Sequence, residues 1–244
     1  MRDFELAKTL LSTLDLTSLG KNDNETSITT LCDNARTKYG NVAAICVYPK
    51  FIPMVQKLLE GTKIKIATVV NFPKGNVDVE NVVAEMKKAV GYGADEIDAV
   101  FPYNSFLSGN VEDCRKILSA VVDNASSRKI KIILESGAFK SVRSLQDACR
   151  VCLEYKIDFL KTSTGKTDIS ATIDAANAIL EVIHETPRNV GFKASGGIKT
   201  FEQARQYYIL AQSIMGEKWP TSKHFRIGAS SLLKDLLNVI GQGY

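Results

Sequence analysis

Eight times along the chain, a short apolar run ends in a polar or small residue and gives way to a longer amphipathic stretch. The runs are Leu11 to Leu16, Val42 to Tyr48, Ile64 to Val70, Glu96 to Phe101, Ile130 to Glu135, Ile157 to Thr162, Val190 to Lys193 and Phe225 to Ala229. Strands this apolar are buried on both faces, and connections of helical length make consecutive strands parallel. The result is an α/β sheet covered by helices. A doubly wound open sheet and a closed barrel both meet that description. The 244 residues divide into eight units of about 30, the size of one βα step, and the total is close to the roughly 250 typical of an eightfold barrel. No Gly-x-Gly-x-x-Gly follows an early strand, as a dinucleotide fold would require. The expected architecture is one (β/α)8 TIM barrel domain over residues 1–244, with the active site at the C-terminal ends of the strands.

Helix starts are marked by short polar residues ahead of apolar periodicity. Ser27 opens a helix toward Tyr39, Asp78 opens Val79 to Val90, Asn110 opens Val111 to Asn124, and Ser144 opens Leu145 to Tyr155. Thr172 opens Ile173 to His184, Thr200 opens Phe201 to Met215, and Ser230 leads into Leu232 to Ile240. Lys50 to Glu60 has the weakest helical pattern because it contains Pro53, which a first turn tolerates. Lys218 to Lys223, with Trp219-Pro220, is expected as an exposed loop.

Composition removes several classes of function. The longest apolar run, Val42 to Tyr48, is far short of the roughly 18 residues that span a membrane. Met1 to Lys8 mixes acids and bases where a secretory signal carries a basic tip and an apolar segment, so a cytoplasmic location is expected. Lys and Arg exceed Asp and Glu by 31 to 27, a net charge of +4, but the bases are scattered. That argues against a nucleic-acid surface and leaves room for a small anionic substrate. Cys32, Cys46, Cys114, Cys149 and Cys152 show no Cys/His metal spacing, and are expected as buried free thiols.

In such a barrel, the polar residues near the ends of the strands are the candidates for chemistry. They are Asp15 and Thr17, Asn71, Asp98, Glu135, Lys161 ahead of Thr162-Ser163-Thr164, and Lys193. A buried charge is expensive unless paired or neutralised, so lysines inside Phe-Leu-Lys-Thr and Gly-Phe-Lys-Ala point to function. Two neighbouring ammonium groups disfavour double protonation, which lowers one pKa and frees an amine to attack a carbonyl. A carboxylate such as Asp98 would hold the other lysine protonated and relay protons through water. His184, at a helix end, and His224, just before the last strand, lie at the wrong ends of their elements for this site, and zinc is not expected. Thr164-Gly165-Lys166-Thr167 ends like a P-loop, but Leu160 stands where the first glycine is required. No Gly-x-Ser-x-Gly elbow is present.

Three glycine turns follow the last three strands: Gly165-Lys166, Gly196-Gly197-Ile198-Lys199 and Gly228-Ala229-Ser230-Ser231. Such turns let backbone N–H groups approach an anion, and the loops after strands seven and eight are the recurrent phosphate site of this architecture. A phosphate monoester substrate is expected.

The motifs Leu-Asp-Leu-Thr (14 to 17), Ala-Ala-Ile-Cys-Val-Tyr-Pro (43 to 49), Asn-Phe-Pro-x-Gly (71 to 75), Gly-Ala-Asp-Glu-Ile-Asp (93 to 98), Phe-Leu-Lys-Thr-Ser-Thr-Gly (159 to 165) and Gly-Phe-Lys-Ala-Ser-Gly-Gly (191 to 197) stand in this order. The set closely resembles the deoxyribose-phosphate aldolases, a class I aldolase family on a (β/α)8 barrel. The resemblance covers essentially the whole chain. It implies metal-free, cofactor-free, reversible cleavage of 2-deoxy-D-ribose 5-phosphate to D-glyceraldehyde 3-phosphate and acetaldehyde, in deoxyribonucleotide catabolism. Carried over by motif, Lys161 forms the Schiff base, Lys193 perturbs it, and Asp98 works with Lys193 in proton transfer. Asp15 and Thr17 match contacts to substrate hydroxyls, and Cys46 matches a cysteine lining the pocket. The glycine turns match the phosphate loops, with Thr164, Gly165, Lys166, Gly196, Gly197, Lys199, Gly228, Ser230 and Ser231 as substrate-binding residues. Lys199 stands where many relatives have arginine, replacing a bidentate fork by a point charge. Tyr244 matches the terminal tyrosine that reaches the site in some relatives, and a homodimer is the expected assembly. A transaldolase-like Schiff-base barrel and a non-catalytic phosphosugar-binding barrel are the competing readings.

Overall fold

The computed structural model describes residues 1–243. Eight parallel strands close into a barrel: β1 (Leu14–Ser18), β2 (Ala44–Val47), β3 (Lys65–Val70), β4 (Glu96–Val100), β5 (Lys129–Ile133), β6 (Phe159–Lys161), β7 (Gly191–Ser195) and β8 (Phe225–Ala229). Each strand pairs with its neighbour in sequence, and β8 returns to β1, with Asp15 opposite Gly228. Ten helices surround the barrel among the described residues: α1 (Asp3–Ser12), α2 (Glu25–Asn34), α3 (Ile52–Leu58), α4 (Val79–Gly91), α5 (Tyr103–Leu107), α6 (Val111–Asp123), α7 (Val142–Leu153), α8 (Ile173–Glu185), α9 (Phe201–Met215) and α10 (Leu232–Gln242).

Side chains alternate across each strand, so one set meets the helices and the other meets inside the barrel. The outer set, including Ile45, Ile97, Ile132, Leu160, Phe192 and Ile227, joins the helix faces in one large hydrophobic core. The inner set is divided. Ala44, Cys46, Ala67 and Val69, from β2 and β3, form a small apolar cluster with Leu19. The inner positions of the remaining strands carry buried charges.

Asp78, Thr172 and Thr200 cap α4, α8 and α9 as expected, each accepting an N–H three residues on. Two starts lie three residues earlier than the sequence suggested. Asn24 caps α2 through Ser27 N–H, and Ser141 caps α7 through Ser144 N–H. In both helices a serine in the first turn imitates the cap. Leu11 belongs to α1, a helix not anticipated, which ends at Ser12 and packs against α10 and α9. α2 stops at Asn34, and the chain then forms a two-residue ladder, Arg36–Thr37 with Gly40–Asn41, instead of continuing to Tyr39. A 3-10 turn over Pro49–Phe51 leads into α3, with Pro53 in the first turn, where its missing N–H is harmless. The Trp219 loop is exposed at Lys218 and Lys223, but Pro220 is buried and Trp219 stacks on His224, with ring centroids 5.7 Å apart. All five cysteines are buried and free. Among the described residues, no helix is long and apolar enough to cross a membrane.

Candidate active site

Asp98, at the middle of β4, is fully buried, and both of its oxygens are occupied by ammonium groups. Lys131 Nζ donates to Oδ1 at 2.8 Å; Lys161 Nζ and Lys193 Nζ both donate to Oδ2, each at 2.8 Å. The register explains the convergence. Asp98 lies opposite Lys131 on β5, Ile133 on β5 lies opposite Lys161 on β6, and Lys161 lies opposite Lys193 on β7.

The cluster extends toward β1 and β8. Asp15 Oδ2 accepts from Lys193 at 2.5 Å, and its Oδ1 accepts from Arg226 at 2.6 Å. Arg226 also grips both oxygens of Glu96, at 2.9 and 3.1 Å, and Lys131 Nζ lies 2.7 Å from Glu96 Oε2. Three carboxylates thus face four cations, all buried. One positive charge is in excess, and the geometry shows where. Lys131 lies within 4 Å of three carboxylates, Asp15, Glu96 and Asp98; Lys193 is within reach of two; Lys161 has only the Asp98 oxygen that it shares with Lys193.

Burial destabilises every ammonium, and only partners restore it. For Lys161, burial outweighs the pull of Asp98, Lys193 repels it further, and its pKa falls below the ordinary 10.5. Burial also opposes charge on Lys193, but Asp15 and Asp98 overcome it and raise the pKa. At Lys131, Asp98, Glu96 and Asp15 overcome the same burial more strongly. Asp98 is held well below the carboxylate range because Lys131, Lys161 and Lys193 outweigh its desolvation. Lys161 is therefore the amine most easily freed of its proton, and at 4% exposure it is the lysine of the three that lines the pocket.

That pocket has a volume of about 380 Å³ and opens at the C-terminal ends of β1, β6, β7 and β8. Thr17, Thr164, Gly165, Lys166, Gly196, Gly197, Lys199, Gly228, Ser230 and Ser231 line it, as the sequence suggested. Gly165, Gly196 and Gly197 have φ of +74°, +88° and +80°, and a Cβ on Gly196 would lie 2.6 Å from Ser170 and 3.2 Å from the Gly165 backbone. Only glycine lets the two loops meet. Ser231 begins α10 without a side-chain cap, leaving first-turn N–H groups and the helix dipole for an anion. At α9, by contrast, Gln203 Oε1 already accepts from Lys199 N–H and Thr200 N–H. Lys166 Nζ reaches across the rim to the Leu19 carbonyl at 2.6 Å.

Two expected site residues are placed otherwise. Asp15 does not line the pocket; it is fully buried and both oxygens hold cations. Cys46 is also fully buried and does not line the pocket, and burial raises its thiol pKa. Tyr244 lies outside the described residues. The sequence reading did not single out Lys131, Glu96 and Arg226, although the signal that marked Lys161 and Lys193, a charge within an apolar run, applies to them. It also passed over Ser195, which lines the pocket. Glu135, named only as a strand end, sits beyond β5 at φ +55° and accepts from the Thr164 and Thr167 hydroxyls, fixing the loop after β6. Among the described residues, no group of three or more His, Cys, Asp or Glu is placed to hold a metal ion.

Comparison with known proteins gives a consistent match. A family model described as DeoC/LacD family aldolase matches residues 9–237. A solved structure from Coccidioides immitis, provisionally described as a deoxyribose-phosphate aldolase, is 27% identical, covering 95% of this chain and 86% of that one with a TM-score of 0.85. A similarly described structure from Toxoplasma gondii is 22% identical, covering 98% and 95%, with a TM-score of 0.89. The deoxyribose phosphate aldolase of Aeropyrum pernix, described as tetrameric, is 24% identical over 98% of this chain and 93% of that chain, with a TM-score of 0.80.

Proposed function

The chain belongs to the DeoC/LacD family of aldolases, and from that premise we propose that it cleaves 2-deoxy-D-ribose 5-phosphate reversibly through a Schiff base on Lys161. The observation that carries this reading is the shared Asp98 oxygen, 2.8 Å from both Lys161 Nζ and Lys193 Nζ, beneath a pocket rimmed by glycine turns.

The neutral Lys161 amine attacks the C1 aldehyde of the open-chain sugar. A proton passed from Lys193 by way of Asp98 lets the carbinolamine lose water. The iminium draws electrons from the C2–C3 bond as the C3 hydroxyl gives its proton, through water, to the same pair. D-Glyceraldehyde 3-phosphate leaves. The enamine then takes a proton at C2, and hydrolysis frees acetaldehyde and Lys161. Gly165, Lys166, Gly196, Gly197, Lys199, Gly228, Ser230 and Ser231 are suited to hold the phosphate, and Thr17 and Thr164 are available for substrate hydroxyls. In this reading one barrel domain of 244 residues carries the whole reaction. The cytoplasm, deoxyribonucleotide catabolism and a homodimer belong to the same reading.

The test is borohydride reduction in the presence of acetaldehyde, followed by peptide mapping. An adduct on Lys161 is expected, and Lys161→Ala should abolish both the adduct and cleavage. Labelling elsewhere, or an active Lys161→Ala protein, would refute the assignment. Release of free acetaldehyde from the phosphosugar separates this reading from a transaldolase-like transfer, and turnover separates it from a barrel that only binds.

A further inference from the structure

Lys131 is fully buried, lies beneath the pocket and does not line it, yet it makes more carboxylate contacts than either catalytic lysine. By filling Asp98 Oδ1 and lying against Glu96, it neutralises carboxylate charge that would otherwise stabilise the other two ammonium groups. We propose that Lys131 is a positioning residue: it acts through Asp98 as a fixed cation that supplies the counter-charge the carboxylates need, so that Lys161 is the ammonium the cluster can spare. The inference rests on Lys161 being the nucleophile.

The groups facing the cluster from all eight strands support this assignment. β1 supplies Asp15; β2 supplies Cys46, a thiol kept neutral by burial; β3 supplies only Ala67 and Val69. β4 supplies Glu96 and Asp98, β5 Lys131, β6 Lys161, β7 Lys193 and β8 Arg226. Arg226 is bound to Asp15 and Glu96 and never releases its proton, so it cannot exchange roles with a lysine. Without Lys131, three carboxylates would face three cations, and Lys161 would be needed as a counter-ion. With Lys131 in place, Lys161 is dispensable as a charge and free as an amine.

The test follows the acidic limb of the pH dependence of kcat/KM, together with that of borohydride trapping at Lys161. Lys131→Met should move both limbs to higher pH by roughly one unit, the scale on which one nearby charge acts. Glu96→Gln, which removes a carboxylate and keeps the side-chain shape, should move them to lower pH. The double variant should return them close to the original position. A variant that loses activity or stability while both limbs stay in place shows a merely structural role and overturns the inference. Because Glu96→Gln is read independently, a misfolded Lys131→Met protein still leaves a decisive measurement: an unmoved or raised limb in Glu96→Gln also overturns it. Absence of a Lys161 adduct in the unmodified protein would refute the proposed function and this inference with it. An adduct with unmoved limbs refutes this inference alone.

Discussion

At the scale of single residues, the cluster works because each oxygen and each ammonium is accounted for. Asp98 is its hinge, touching three lysines. Asp98→Asn would leave four cations against two carboxylates in a dry interior. Breaking a buried ion pair from one side typically costs about 3–5 kcal/mol. A loss of that size is expected in urea denaturation; a loss below about 1 kcal/mol would show that the network carries little of the stability. Gly228 controls geometry instead of charge. A Cβ there would lie 2.9 Å from Lys193 Cε and 3.0 Å from Ser195 Cβ, so Gly228→Ala pushes Lys193 away from Asp15 and Asp98. Small displacements of a reacting group can cost about 100-fold. Steady-state kinetics should show a loss near that size in kcat, and an unchanged kcat would mean that Lys193 tolerates the shift. The residues most exposed to such arguments were legible in the sequence because a lysine inside an apolar strand violates the pattern around it. Lys131 violates it equally in Lys-Ile-Lys-Ile-Ile, but only the paired strands show that it reaches Asp98.

At the scale of elements, loop shape at the pocket is inherited from helix caps. Thr200 caps α9 through Gln203 N–H, and Gln203 returns its side chain to the Thr200 and Lys199 N–H groups. Asp235, on α10, accepts the Phe201 N–H at 2.6 Å, tying the two helices that flank the rim. Losing a threonine cap usually costs about 1 kcal/mol, the expected drop for Thr200→Ala in urea denaturation. A variant as stable as the parent would mean that Gln203 and Asp235 suffice. The same capping chemistry made most helix starts readable, and it also explains the misplaced ones. Ser27 and Ser144 have the side chain of a cap and stand three residues inside their helices, where Asn24 and Ser141 reach them. α1 was missed because Leu10 and Leu11 run toward the apolar start of β1, and a short apolar stretch does not announce whether it coils or extends.

At the scale of the whole molecule, the barrel interior is a charged core inside an apolar shell, which makes stability depend on pH in a defined direction. Burial opposes ionisation of Asp15, Glu96 and Asp98, but the cations prevail and depress all three below their ordinary values of 3.8, 4.5 and 3.8. Their contribution is present above those values and is lost as pH falls through the lower folded ones. Lys131 and Lys193 are raised above 10.5, so their contribution is present below that pH and disappears as pH rises through the folded values. Lys161 has the opposite sign, since unfolding lets it regain a proton. The melting temperature should hold through neutrality and drop steeply below about pH 4; a rise on acidification would contradict the paired network. By itself, the sequence determined the eightfold alternation of strand and helix, and with it the barrel, because burial period and helix caps are local properties. It also determined that Lys161 and Lys193 are out of place among apolar neighbours. Only the tertiary structure decided that three carboxylates meet four cations, that Asp15 and Cys46 lie below the pocket instead of in its wall, and that Lys161 has the fewest partners. Those facts depend on register across strands distant in sequence, such as Asp98 beside Lys131 and Asp15 beside Gly228, and no local pattern specifies which charges share an oxygen.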